Sequence, residues 1–192
     1  DEDGNRSAGV TVNAIPWADD PAGLAFTIAE AKVPGAGKFP TRTDDSELCT
    51  TVNYRYYMAK YEVTYELWTE VYEWATNDGG GGDKYQFQNP GQEGAFGVIF
   101  GSPVTDISWR DAMVWCNALT EYYNACNGTN LGCVYTSFGN IIRDSRDGNA
   151  AACDEVEVDI NAKGFRLPTS MEWELAARYI GTNQPTAKPL SS

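Results

Sequence analysis

The sequence predicts an α+β domain with about three helices, small antiparallel sheets and long loops. Three observations predict it. Helical periodicity behind a capping residue appears in three separate places. Strand-like patterns are short and are divided by stretches rich in Gly, Pro, Ala and Asp. The chain also carries 6 Trp and 11 Tyr, and aromatic-rich chains of this kind fill the gaps of irregular, loop-heavy folds with large side chains.

Taken in order, residues 1–48 read as N-terminal strands and loops of the same domain. "VTVNAI" and "LAFTIAEA" have the β-branched content and partial alternation of short strands, and "VPGAGKFPTRTDDSE" reads as loop. "TVNYRYYMAKYEV" is a further strand, at the start of a core spanning 49–180. The first helix follows in "EVTYELWTEVYEWAT", with Thr64 as N-cap and Glu66 in the first turn. Val63, Leu67, Val71 and Trp74 form its apolar stripe, widened by Trp68 and Ala75. The glycine run at 79–82 lacks the Gly-Lys-Ser/Thr of a phosphate cradle, so it reads as a flexible loop.

The second helix is "SWRDAMVWCNALTEYY". Ser108 caps it, and Asp111 closes an approximate capping box. Trp109 begins it, and Ala112, Trp115, Cys116 and Leu119 form one apolar face. Cys116 there reads as a small buried hydrophobe. The connection from Asn124 to Lys163 reads as irregular. Its "DSRDGN" segment fails the calcium-loop pattern, because ligand positions would fall on Arg143 and Ser145. In "CDEVEVDI", Glu155, Glu157 and Asp159 alternate with Val156, Val158 and Ile160, the pattern of a half-buried strand with a wet acidic face.

The third helix lies in "GFRLPTSMEWELAAR". Pro168 blocks continuation from upstream, Thr169 caps, and Glu172 completes a capping box. Met171, Leu175 and Ala176 are expected to form a buried stripe, with Trp173 beside it. Arg178 suits the helix C-terminus. Arg166 is placed to pair with Glu172 or Glu174. Two glutamates two residues apart do not face each other, so they make a poor acid/base couple and read as structural.

Charge and cysteines bound the chemistry. The net charge is −13 and there is no His. Such a surface repels phosphate backbones and anionic bilayers, so nucleic acid is not an expected partner. Lack of His removes Ser-His-Asp and Cys-His catalysis and most zinc sites. No apolar run reaches membrane-spanning length. The start "DEDGNRSAGV" fits a chain whose signal peptide has been removed, which points to an exported, extracellular or cell-surface protein. Cys126 and Cys133 flank the polar loop "NGTNLG" and are candidates for a local disulfide, while Cys49 and Cys153 have no evident partner. Asn5 and Asn127 head glycan-acceptor triplets.

Three segments resemble one family. "EVTYELW" is similar to its Glu-Val-Thr helix start. "PVTDISWRDAMVWCNAL" resembles its Pro-Val-x-x-Val-Ser-Trp-x-Asp-Ala helix with a following Cys. "FRLPTSMEWELAAR" resembles its Arg-Leu-Pro-Thr-Glu-Ala-Glu-Trp-Glu-x-Ala-Ala-Arg signature. The family is that of the formylglycine-generating enzyme, or sulfatase-modifying factor, and the likeness covers about residues 50–180. It implies an irregular fold related to C-type lectins and, for most bacterial members, an extracytoplasmic place. Its enzyme branch oxidises a sulfatase cysteine to formylglycine, with copper held by two cysteines in the C-terminal half. Calcium sites lie in that half too.

The chain has no Arg-Gly-Gly-Ser and no Gly-Asn-Val-x-Glu-Trp, the words of that half. The resemblance therefore transfers no catalytic, copper or calcium residue. It marks Thr64, Ser108, Trp109, Asp111, Arg166, Thr169, Glu172, Trp173, Glu174 and Arg178 as a structural signature. The domain is expected to be incomplete beyond the tail at 181–192. The expectation is a non-catalytic surface module that binds a glycan or protein, or assembles with itself or a complementing segment, in one version as a filament. The alternative is one part of a copper-dependent oxidase whose catalytic half lies on another segment.

Overall fold

The structure is a computed structural model, and it describes residues 11–12, 28–31, 39–40, 49–50, 52, 56–59, 62–77, 85–94 and 102–178. Asn5, the glycine run at 79–82 and the tail at 181–192 lie outside the described residues, as do the side chains of Cys49 and Arg178.

Five short strands come first: β1 (Thr11–Val12), β2 (Ile28–Ala31), β3 (Phe39–Pro40), β4 (Cys49–Thr50) and β5 (Tyr56–Ala59). Helix α1 (Tyr65–Thr76) follows, then β6 (Gln92–Glu93) and β7 (Val104–Thr105). Helix α2 (Trp109–Asn127) leads to the hairpin β8 (Tyr135–Ser137) and β9 (Asn140–Ile141). A 3-10 turn at Asp147–Asn149 runs into α3 (Ala150–Asp154), and β10 (Glu157–Val158), β11 (Phe165–Arg166) and α4 (Ser170–Arg178) close the described chain. The α+β class with small antiparallel sheets is as expected. Helix α3 is additional: the connection expected to be irregular holds one short helix.

The four-stranded sheet has the order β11-β1-β5-β2 and is antiparallel throughout. Strand β1 sits inside it, with Thr11 opposite Arg166 on one side and Met58 on the other. A second sheet, β10-β8-β9, is built from the connection.

Helix α2 is the axis of the core. Residues 111–120 are all buried, so the helix is enclosed all round rather than on one stripe. Ala112, Trp115, Cys116 and Leu119 lie in the core as the periodicity requires. On α1 the stripe is rotated slightly from the sequence reading. Trp68, Val71 and Ala75 are its buried centre, while Leu67 and Trp74 are partly buried at its margins. Trp68 stacks on Trp115 with ring centroids 5.3 Å apart, and Trp115 Nε1 donates to Trp68 O at 3.2 Å. These contacts clamp α1 to α2 through the largest side chains of the core.

Two glycines permit close approaches. Gly91 has φ +80, and a Cβ there would meet Trp68 Nε1 at 2.7 Å and Val104 Cγ2 at 2.8 Å. Gly164 leads into β11, and a Cβ there would lie 2.4 Å from Gly132 O and 2.8 Å from the Thr120 side chain. Its N–H donates to that same Gly132 carbonyl at 3.0 Å. No side chain fits between these backbones.

Two expectations are corrected. Val158 and Ile160 are exposed, and the strand shrinks to Glu157–Val158, because β10 lies at the edge of its sheet and turns away after Asp159. Of that apolar series, Val156 packs partly against the core. On α4, Met171 is exposed. The buried face carries Glu172 and Leu175, one helical turn apart, with Ala176 half-buried beside them.

Gly164→Ala is expected to lower stability by about 1–3 kcal/mol, since the added methyl has no space to enter. Chemical denaturation of the two proteins measures it.

Candidate functional site

Three of the signature residues, Arg166, Thr169 and Glu172, converge on one lock. Thr169 caps α4: its Oγ1 accepts from Glu172 N at 3.2 Å, and Glu172 Oε2 accepts from Thr169 N at 2.7 Å. The same carboxylate takes a bidentate grip from Arg166, with Nη1 to Oε2 at 2.7 Å and Nη2 to Oε1 at 2.5 Å. Glu172 is chosen over Glu174 because the capping position turns its side chain back toward β11. Both partners are sealed, Arg166 at 1% and Glu172 at 0% exposure. Tyr56 OH donates to Glu172 O at 2.6 Å, and Tyr135 OH accepts from Leu167 N at 2.9 Å. One glutamate thus starts a helix and neutralises a buried arginine.

A second lock surrounds Asp111. Ser108 and Asp111 form a complete capping box. The Asp111 carboxylate also accepts from Gln88 N at 3.0 Å, Asn89 Nδ2 at 2.8 Å and Ser145 Oγ at 2.5 Å. It joins the start of α2 to the 85–91 loop and to the connection near Ser145. Burial pushes its pKa up, but hydrogen bonds from Ser145, Asn89 and Ser108 outweigh this and hold the carboxyl below its ordinary value.

Two residues missed in the sequence act alike. Asn117 Nδ2 donates to Tyr135 O at 2.8 Å and Ile142 O at 3.0 Å, while its Oδ1 accepts from Tyr135 N at 3.2 Å. Thr120 Oγ1 accepts from Phe165 N at 2.9 Å and donates to Cys116 O at 2.9 Å. The available signal was polar residues inside the apolar run "DAMVWCNALT".

The expected Cys126–Cys133 disulfide is not formed; both thiols are free, as are Cys116 and Cys153. The loop is closed by Asn124 instead. Its Nδ2 donates to Leu131 O at 2.9 Å, and its Oδ1 accepts from Leu131 N and Thr129 Oγ1, each at 2.8 Å. Cys126 meanwhile stays exposed on the last turn of α2, which ends at left-handed Gly128. Cys133 Sγ points inward and lies 3.6 Å from Asn117 O, to which it donates. Asn127, the candidate glycan acceptor, donates its Nδ2 to Tyr123 O at 2.9 Å.

Burial raises the thiol pKa of Cys116 far above its ordinary value, that of Cys133 to about 12 and that of Cys153 to about 11. At neutral pH these three are protonated. The surface instead displays apolar groups: Trp109 and Trp173 of the signature are each more than half exposed, and Phe138 is 82% exposed.

The sulfatase-modifying factor enzyme 1-like domain matches residues 27–188. The chain belongs to that family. Among curated proteins it is similar to "Chaperone protein LppX" of Paenibacillus barcinonensis, 30% identical over 145 residues, which are 68% of this chain and 41% of the relative. Among solved structures it is similar to CarF, at 22% identity and TM-score 0.53, covering 90% of this chain and 57% of that one. Treponema denticola variable protein 1 shares 27% identity at TM-score 0.49, over 94% of this chain and 57% of that one. The chain thus spans less than half the length of the curated relative and little more than half of each solved chain.

The family's enzyme branch implies copper, and its C-terminal half implies calcium. No three of Cys, Asp or Glu converge as a metal-binding group among the described residues. The acidic cluster beside α3 is tied up by arginines, with Arg110 on Asp147 and Asp154 and Arg146 on Asp144. Among the described residues, no helix is long and apolar enough to cross a membrane.

Two outcomes are expected. Glu172→Ala removes the bidentate carboxylate from the buried Arg166 charge and is expected to cost about 3–5 kcal/mol in an equilibrium unfolding experiment. Asp111 has a depressed folded pKa, so its stabilisation is full above its unfolded value of about 3.9 and is lost as pH falls through the lower folded value. The slope of unfolding free energy against pH in that acid window is expected to flatten in Asp111→Asn.

Proposed function

We infer that this chain is an exported, non-catalytic member of its family that works as a binding or assembly module. The observation that carries this reading is the enclosure of Cys116, Cys153 and the signature carboxylate, with Cys126 the exposed thiol among the described residues. The thiolate is the nucleophile and the metal ligand, and burial keeps Cys116, Cys133 and Cys153 protonated. The signature carboxylate Glu172 is enclosed against Arg166 rather than offered to a substrate. What the surface offers is recognition: exposed Trp109, Phe138 and Trp173 over a chain of net charge −13. A relative named a chaperone supports a role in holding another chain. The similarity to that relative supports export.

A second reading rests on the family match itself. In it this chain is one part of a copper-dependent formylglycine-generating oxidase, and another segment brings the catalytic cysteines.

Mass spectrometry decides between them. The full chain is incubated with copper, oxygen and a sulfatase-type cysteine peptide. The peptide mass is expected to stay unchanged. Conversion to formylglycine by the chain alone overturns the reading. Conversion only after adding a segment with two cysteines beside Arg-Gly-Gly-Ser transfers it to the second.

A further inference from the structure

The β8–β9 hairpin turns in two residues, because Ser137 pairs with Asn140. Phe138 and Gly139 fill the turn with φ of 48 and 74. A turn with both φ values positive favours Asn-Gly, and a bulky side chain there is an outlier. The phenyl ring is also 82% exposed. Phe138 therefore bears two local costs, backbone strain and a hydrated aromatic surface, and gains no packing in return. Strain of this kind, once observed, points toward a functional site.

The neighbouring strand supplies the rest of the surface. Strand β10 is an edge of the β10-β8-β9 sheet. Asp159 N–H donates to Val134 O on the β8 side at 3.0 Å, so strand alternation turns the Val158 N–H and C=O toward the other side, where no described strand pairs with β10. Along this edge Glu155, Glu157 and Asp159 are exposed, alternating with exposed Val158 and Ile160. Carboxylates on an edge guard it against a second copy of the same chain, since like charges would meet. The same row complements a strand that alternates basic and apolar residues.

We propose that Phe138 and the open edge of β10 form a docking surface for a basic, extended segment of a partner protein. The segment adds as a strand beside β10, exchanging backbone hydrogen bonds with Val158. Its lysines or arginines meet Glu155, Glu157 and Asp159, and its apolar residues cover Val158 and the Phe138 ring. This partner class rests on the binding-module reading above.

The test uses the full chain and a labelled, blocked peptide of alternating lysine and valine, followed by fluorescence anisotropy. Saturable binding is expected that weakens as salt rises, and none is expected for the glutamate-valine counterpart. Val158→Pro removes the outward N–H, and the Glu157→Lys, Asp159→Lys pair reverses the charge. Each is expected to weaken binding by about tenfold. Phe138→Asn relaxes the turn, so it is expected to keep or raise the melting temperature while still weakening binding. The proposal is overturned if the lysine peptide fails to bind, if the glutamate peptide binds as well, or if all these variants bind like the parent. It is also overturned if the edge mediates self-association of the chain. Any of these results, with the peptide mass unchanged in the oxidase assay, removes the edge assignment and leaves the non-catalytic reading standing.

Discussion

The Asp111 carboxylate is the constraint on which much of the architecture depends. It is fully buried and accepts from backbone and side-chain donors of three separate segments, the 85–91 loop, the start of α2 and the stretch at Ser145. A fold with so little regular secondary structure leaves many backbone donors without ladder partners, and each must still be satisfied when buried. Helix α2 answers that requirement from inside. Its polar side chains Asp111, Asn117 and Thr120 reach the loop, β8 and β11 in turn. A wholly apolar helix would fill the same volume but would leave those backbone groups orphaned.

The signature at 165–178 follows the same logic. Its residue types are fixed because one carboxylate serves two geometries, the capping position of α4 and the guanidinium of Arg166. Pro168 and Thr169 set where the helix starts, and that start decides which glutamate faces the arginine. The motif is specific without being reactive. This separates membership of the family, which the match over residues 27–188 shows, from the family's chemistry, for which the described residues hold no assembled site.

What the sequence made legible was local. Capping by Thr64, Ser108 and Thr169 depends on residues three apart, and all three caps form. Cys116 was readable as core from helical spacing. What escaped was long-range. Asn117 and Thr120 gave no periodic signal because their partners are backbone atoms in distant loops. The Cys126–Cys133 expectation followed spacing alone, whereas the loop is tied by Asn124, whose amide satisfies several groups at once. Alternation in "CDEVEVDI" implied a buried face, yet whether a strand has a covering layer depends on its place in a sheet.

Strand β1 lies between β5 and β11, and β11 is nearly the last described element. The central four-stranded sheet therefore joins opposite ends of the described chain. During synthesis Thr11 and Val12 gain one neighbour once β5 has emerged, but their other edge stays open until Phe165 and Arg166 follow. A pairing so remote in sequence carries a large loop-closure entropy and raises the contact order. Maturation of this domain is consequently a late event, and a chain released before β11 would expose an unpaired edge at its own amino-terminal strand.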